Sequence, residues 1–190
     1  MTILELAGGF VSVDVPDGWE QASDPYPGIE LVVVEPEQDG LFRANLVVTV
    51  TDVAMSFGDW QKGTDVFLAG ELHDYLLLDL ERMPVGGHPG ARRLATHATA
   101  ENQSVTVQQW MTLINGRGVT LSASCGTLAF ATAGVELERS AHSLRINPSH
   151  TAAGSALGTP SRTTAPALYA PVTDTPPDGS SQTSTTGGAS

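Results

Sequence analysis

Cysteine is nearly absent from this chain: Cys125 stands alone among 190 residues, which excludes an intramolecular disulfide framework. No run of 18 apolar residues occurs, so no helical membrane span is expected. Residues 1–10 lack a basic segment followed by a continuous apolar one, so no secretory signal is expected, and a soluble, cytoplasmic protein is the starting expectation. Basic residues are scarce, with nine Lys and Arg against 21 Asp and Glu and a net charge of −12. The deficit is local. Residues 1–81 hold 16 acids against Arg43 and Lys62, whereas residues 82–147 hold three acids against six arginines. A chain so acidic is repelled by phosphate backbones, which argues against nucleic acid as a partner.

Catalytic and metal-binding patterns are also missing. The five histidines (His73, His88, His97, His142 and His150) show no paired ligand spacing, and a single cysteine cannot complete a zinc set. Gly86-Gly87-His88-Pro89-Gly90 has neither the Walker lysine nor the dinucleotide glycine pattern, and reads as a loop. Ser122 and Ser124 lie inside a strand pattern rather than at a nucleophile elbow. Cys125 could pair with His97 or His142 as a nucleophile, but it ends the run 119–125, where a small buried hydrophobe is the ordinary role. No catalytic residue, cofactor or metal is expected.

What the chain does contain is strand and helix patterning. Val11, Val13 and Val15 alternate with Ser12 and Asp14, then Pro16-Asp17-Gly18 supplies turn chemistry before Trp19. Residues 29–35 and 43–53 read as strands, with Ala44, Leu46, Val48 and Val50 on one face of the second. Ser56 is placed to cap a helix that carries Phe57, Trp60, Thr64, Phe67, Leu68 and Leu72 on one stripe. Residues 75–83, 91–99, 103–114 and 119–125 read as strands, with a loop over 84–90 and a tight Asn115-Gly116 turn. A second helix is expected over 128–144, with Phe130, Gly134, Leu137, Ala141 and Leu144 on its apolar stripe. Trp19, Trp60 and Trp110 are expected as core anchors, with one of them free to line a groove between helix and sheet.

This order implies an α+β fold: a mainly antiparallel sheet with two packed helices over residues 1–147. From Pro148 onward, 34 of 43 residues are Ser, Thr, Pro, Gly or Ala, so 148–190 is expected to be a disordered tail.

The segments Val13-Asp-Val-Pro-Asp-Gly-Trp19, Arg43-Ala-Asn-Leu-Val-Val-Thr49, Gly87-His-Pro-Gly-Ala91 and Val107-Gln-Gln-Trp110 resemble the PsbP-like fold. Within it the chain looks most like the actinobacterial LpqN/LpqT-type family and DcrB-like proteins. The resemblance covers residues 10–146 and implies an α/β/α sandwich that acts as a non-catalytic binding, adaptor or chaperone-like module, linked to secretion or envelope processes. The alternative is a small hydrolase or ligand-binding enzyme with an unrecognised site. An unidentified protein is the expected partner. The LpqN/LpqT-type proteins are typically lipoproteins, and the signal and lipid-bearing cysteine of that group are not seen here. The expected partner contacts are Glu35, Glu37 and Asp39 for a basic surface, and Arg92 and Arg93 for an acidic one.

Overall fold

The computed structural model describes residues 1–22, 27–37 and 41–150. Asp39 and all but the first three residues of the expected tail lie outside the described residues. In chain order the described elements are β1 (Thr2–Leu6), β2 (Val11–Val15), β3 (Glu20–Gln21), β4 (Ile29–Val34), β5 (Asn45–Asp52), α1 (Phe57–Glu71), β6 (His73–Val85), β7 (His88–Ala98), β8 (Ser104–Ile114), β9 (Arg117–Gly126), α2 (Phe130–Ser143) and β10 (Arg145–Ile146).

Seven strands pair antiparallel in the order β3-β4-β5-β9-β8-β7-β6, and β1-β2-β10 form a separate antiparallel sheet. The alternation of Val11, Val13 and Val15 does bury one face of β2, but its partners are β1 and β10, two elements that the sequence pattern had not shown. Leu6 is the only buried residue of β1, and β10 has two residues, so neither carries a readable period.

The two faces of the large sheet follow from strand parity. Leu46, Val48 and Val50 of β5, Val119, Leu121 and Ala123 of β9, and Trp110 of β8 share one core with the valines of β2 and with Leu137, Ala141 and Leu144. That core sits under α2 and the small sheet, which are joined where the Asp14 N–H donates to Ser143 Oγ at 2.7 Å. Met111, next to Trp110 on β8, points to the opposite face and meets Trp60 of α1. The helices therefore cover opposite faces, giving an α/β/α sandwich.

Local chemistry explains both helices. Ser56 caps α1: its Oγ accepts the Asp59 N–H at 3.1 Å and its hydroxyl donates to Asp59 Oδ2 at 2.6 Å. Trp60, Thr64 and Leu68 form the buried stripe of α1, and Gly134, Leu137 and Ala141 that of α2. At Gly118 on β9 a methyl group would stand 2.8 Å from the Trp60 ring, so only glycine lets α1 seat.

One expectation is corrected. Residues 84–90 are not a loop: β6 and β7 pair through Pro84↔Pro89 and Val85↔His88, leaving a two-residue turn at Gly86-Gly87 with φ of 59° and 86°. Two positive φ values are what such a turn requires, and glycine meets them without strain. Pro84 lies on the edge strand, where its missing N–H costs the ladder little. The Asn115-Gly116 turn closes β8 onto β9 in the same manner, with φ of 51° and 78°.

Candidate functional site

At one end of the sandwich, the segment leading into β5, the start of β8, the end of β9 and the first turns of α2 surround a groove of about 640 Å³. Its floor is Ala44, Cys125 and Gly126, its walls are Trp19, Phe42 and Ala133, and its rim is Leu41 and Leu128. The chain leaves β9 through a short 3₁₀ turn, Thr127–Ala129, before α2 begins. Thr127 pins that turn to β8: its Oγ1 lies 2.9 Å from Ser104 Oγ and accepts from Thr106 Oγ1 at 3.1 Å. With Thr127 anchored, the following Leu128 is turned wholly into solvent, and Leu41 across the rim is two-thirds exposed. Leu41 and Leu128 thus add exposed apolar surface to the rim of the groove.

The titratable groups of the groove are Glu35, Glu136 and Cys125, and no Lys, Arg or His is among its lining residues. Glu35 Oε2 accepts the Ala44 N–H at 3.3 Å, and the Glu35 carbonyl accepts Arg43 Nε at 2.8 Å, which fixes the end of β4 at the groove mouth. Burial, with the Glu35 carboxylate adding to it, pushes the Cys125 thiol up to about 11, so it stays protonated at neutral pH. His97 is no base for it. Register puts Cys125 opposite Thr106 and Thr96, on one face, and His97 opposite Val105 on the other. Burial lowers the His97 pKa, an effect partly opposed by the hydrogen bond of Nδ1 to the Ala98 carbonyl. His142 is exposed in the last turn of α2, about 13 Å beyond Ala133 along the helix axis. Among the described residues no three His, Cys, Asp or Glu side chains cluster as a metal site. No described helix is long and apolar enough to cross a membrane.

The expected contact residues scatter. Glu35 lines the groove and Glu37 is exposed just beyond it. Arg92 lies on β7 at the far side of the sheet, in ion pairs with Asp79 at 3.1 Å and Glu81 at 3.5 Å. Arg93, expected as a surface contact, is instead 0% exposed. Its parity turns it under α1, where it bonds Gln109 Oε1 at 2.6 Å and pairs with Asp65. Of the three tryptophans, Trp60 and Trp110 are buried and Trp19 is half-buried at the groove wall.

No family model matches the sequence, and none of the curated proteins does. Solved structures do match. The crystal structure of LpqN, involved in cell envelope biogenesis of Mycobacterium tuberculosis, aligns at 14% identity over 73% of this chain and 83% of that one, with a TM-score of 0.58. Mog1 aligns at 14% identity over 76% of this chain and 95% of that one, with a TM-score of 0.54. The solution structure of cyanobacterial PsbP from Synechocystis sp. PCC 6803 aligns at 14% identity over 73% and 87%, with a TM-score of 0.52. The chain has the PsbP-like fold. At such identity the shared property is the fold, and the groove has to be read from this chain's own residues. Sequence reasoning reached Trp19, Glu35 and Cys125 separately but not the groove that unites them, because Leu41, Leu128 and Ala133 carry no signal until β5, β9 and α2 meet.

Proposed function

We propose that this PsbP-like domain is a non-catalytic binding module that seats an apolar segment of another protein in the groove between the β5 and β9 ends and α2. The observation that carries this reading is the exposure of Leu128 and Leu41 on the rim, which extends apolar surface beyond the cavity, where an apolar segment of a partner would rest. Glu35 and Glu136 at the groove, with no basic residue lining it, favour a partner segment that carries Lys or Arg beside its apolar anchors. LpqN's part in envelope biogenesis supports a role in an envelope or secretion process, as an adaptor or chaperone-like partner. A cytoplasmic setting belongs to the same reading. The groove volume also falls within the range of small-molecule sites, which makes a ligand-binding enzyme the second reading.

Binding of an apolar, basic-flanked peptide, measured by titration calorimetry, tests the proposal. Ala133→Trp should fill the groove and abolish binding with the fold intact. Trp19→Ala should weaken binding about tenfold or more while costing less stability than the loss of a fully buried tryptophan. Salt should slow association with such a peptide. Binding that survives both substitutions would place the site elsewhere. A turnover that disappears in a folded Cys125→Ser variant would replace the binding reading with an enzymatic one.

The same reading treats residues 148–190 as a tail separate from the domain. Deleting them should leave the thermal midpoint within a few degrees of the full chain. A fall of many degrees in a calorimetric scan would show that the tail is part of the folded unit.

A further inference from the structure

We propose that the groove is an alkylammonium site that takes the side chain of a partner's lysine, with the aliphatic stem over Ala44 and Cys125 and the ammonium at the Glu35 carboxylate beside the Trp19 ring. The site belongs to the binding-module reading above and rests on it. Strand register carries the geometry. Glu20 of β3 pairs with Val34 of β4, so one step further along the same pairing sets Trp19 beside Glu35. The Glu35 N–H donates to the Ala44 carbonyl at 2.8 Å, and Asn45 pairs with Ser124, so Ala44 comes next and Cys125 after it. Trp19, Glu35, Ala44 and Cys125 thus form one row across the sheet, and all four line the groove.

The middle of that row is small and apolar, and it ends in a carboxylate with an indole behind it. Phe42 supplies a second aromatic wall. A long aliphatic stem with a cationic tip matches this order of surfaces, because the stem takes the apolar floor and the tip meets both charge and aromatic face. No basic side chain lines the groove. Arg43 alternates with Ala44 and so leaves on the other face, where it pairs with Glu20 at 2.6 Å. The Glu35 charge does reach the floor, where it adds to burial in pushing the Cys125 thiol up. Glu136, exposed on α2, places a second carboxylate at the entrance.

Lysine fits this site better than arginine. Glu35 Oε2 already accepts the Ala44 N–H at 3.3 Å, and a bidentate guanidinium would compete for that oxygen. An ammonium is a compact charge on a four-carbon stem and needs no such fork.

n-Butylammonium, the lysine side chain in isolation, tests the site on the full chain. The readout is the NMR shift of backbone amides and of the indole N–H, with 1-butanol and n-butylguanidinium as comparison ligands. n-Butylammonium should shift the Ala44, Cys125 and Gly126 amides and the Trp19 indole saturably, and bind at least about threefold more tightly than either comparison ligand. Glu35→Gln keeps an oxygen for the Ala44 N–H, and should weaken n-butylammonium about tenfold while leaving 1-butanol unchanged. Glu136→Gln should weaken it only about twofold, because a rim charge is screened. Trp19→Leu keeps apolar bulk without the aromatic face and should weaken it about threefold. The thermal midpoint of each variant separates a lost site from a lost fold. Added salt asks the same question without a substitution, and should weaken n-butylammonium but not 1-butanol. Equal binding of n-butylammonium and 1-butanol, n-butylguanidinium as the tighter cation, or indifference to both Glu35→Gln and salt would each overturn the proposal and leave only an apolar groove. n-Butylammonium held through Glu35 in a protein that binds no apolar, basic-flanked peptide would instead overturn the protein partner and leave the alkylammonium site.

Discussion

Replacing Trp110 by alanine should lower the unfolding free energy by on the order of 3–5 kcal/mol, the range for a large aromatic lost from a close-packed core. Trp110 is 2% exposed in the middle of β8, and its ring lies among Leu121 of β9, the valines of β2 and the stripe of α2. No hydrogen bond complicates the result, because the indole Nε1 is buried without a partner among the described residues. An N–H in that position is a burden on the fold, since it has left water and gained nothing in return. Trp110→Phe should therefore cost only about 1–2 kcal/mol, reflecting the smaller ring and the cavity that it leaves. Urea unfolding followed by circular dichroism would compare the two. Equal losses for Ala and Phe would mean that the indole nitrogen matters after all, through a contact outside the described residues.

The strength of the sequence pattern decided what was legible. Residues 43–53 are legible because β5 runs through the middle of the sheet with both faces buried, which calls for an apolar, β-branched run, and the strand itself, Asn45–Asp52, starts two residues later and ends one residue earlier. The Ser56 cap with Asp59 and the three-and-four spacing after it placed α1 correctly, as local chemistry sets a helix start. The Asn115-Gly116 turn was equally plain. Failures came where partners, not residues, define the element. β1 and β10 are strands only because β2 lies between them, and the proline-flanked Gly86-Gly87 turn reads as a loop until Pro84 is seen opposite Pro89.

The groove was legible in fragments for the same reason. The sequence allows one of the three tryptophans to line a groove without saying which, and reads Glu35 as a surface acid; that Trp19 and Glu35 share a groove depends on β3 and β4 pairing beside β5, next to the end of β9. Arg92-Arg93 shows the limit of parity arguments. Alternation requires the two side chains to part, and it does not say which face a helix will cover. That choice rests on Trp60 finding the gap at Gly118, 25 positions along the chain from Arg93.

Asp65→Ala should destabilise the domain by about 3–5 kcal/mol, because it would leave the Arg93 guanidinium charged and without a counterion under α1. Arg93 is 0% exposed, and its donors also reach Gln109 Oε1 at 2.6 Å and the Gln61 carbonyl at 3.4 Å. Gln109 passes the connection on to Ser122 Oγ at 3.0 Å, so the network ties α1 to three adjacent strands. Asp65 is different: its side chain is 29% exposed and can be hydrated if it loses its partner. Arg93→Met should therefore cost less than Asp65→Ala, about 1–3 kcal/mol, most of it from Gln109 losing its donor. The double variant Arg93→Met/Asp65→Leu should be more stable than Asp65→Ala alone, since it removes the stranded charge together with its cause. Urea unfolding of the three variants gives the order directly, and hydrogen exchange should show α1 opening first in Asp65→Ala. Losses that simply add, or an Arg93→Met variant worse than Asp65→Ala, would refute the ion pair as the tie between α1 and the sheet. In that case the burial of Trp60 and Leu68 alone would hold the helix in place.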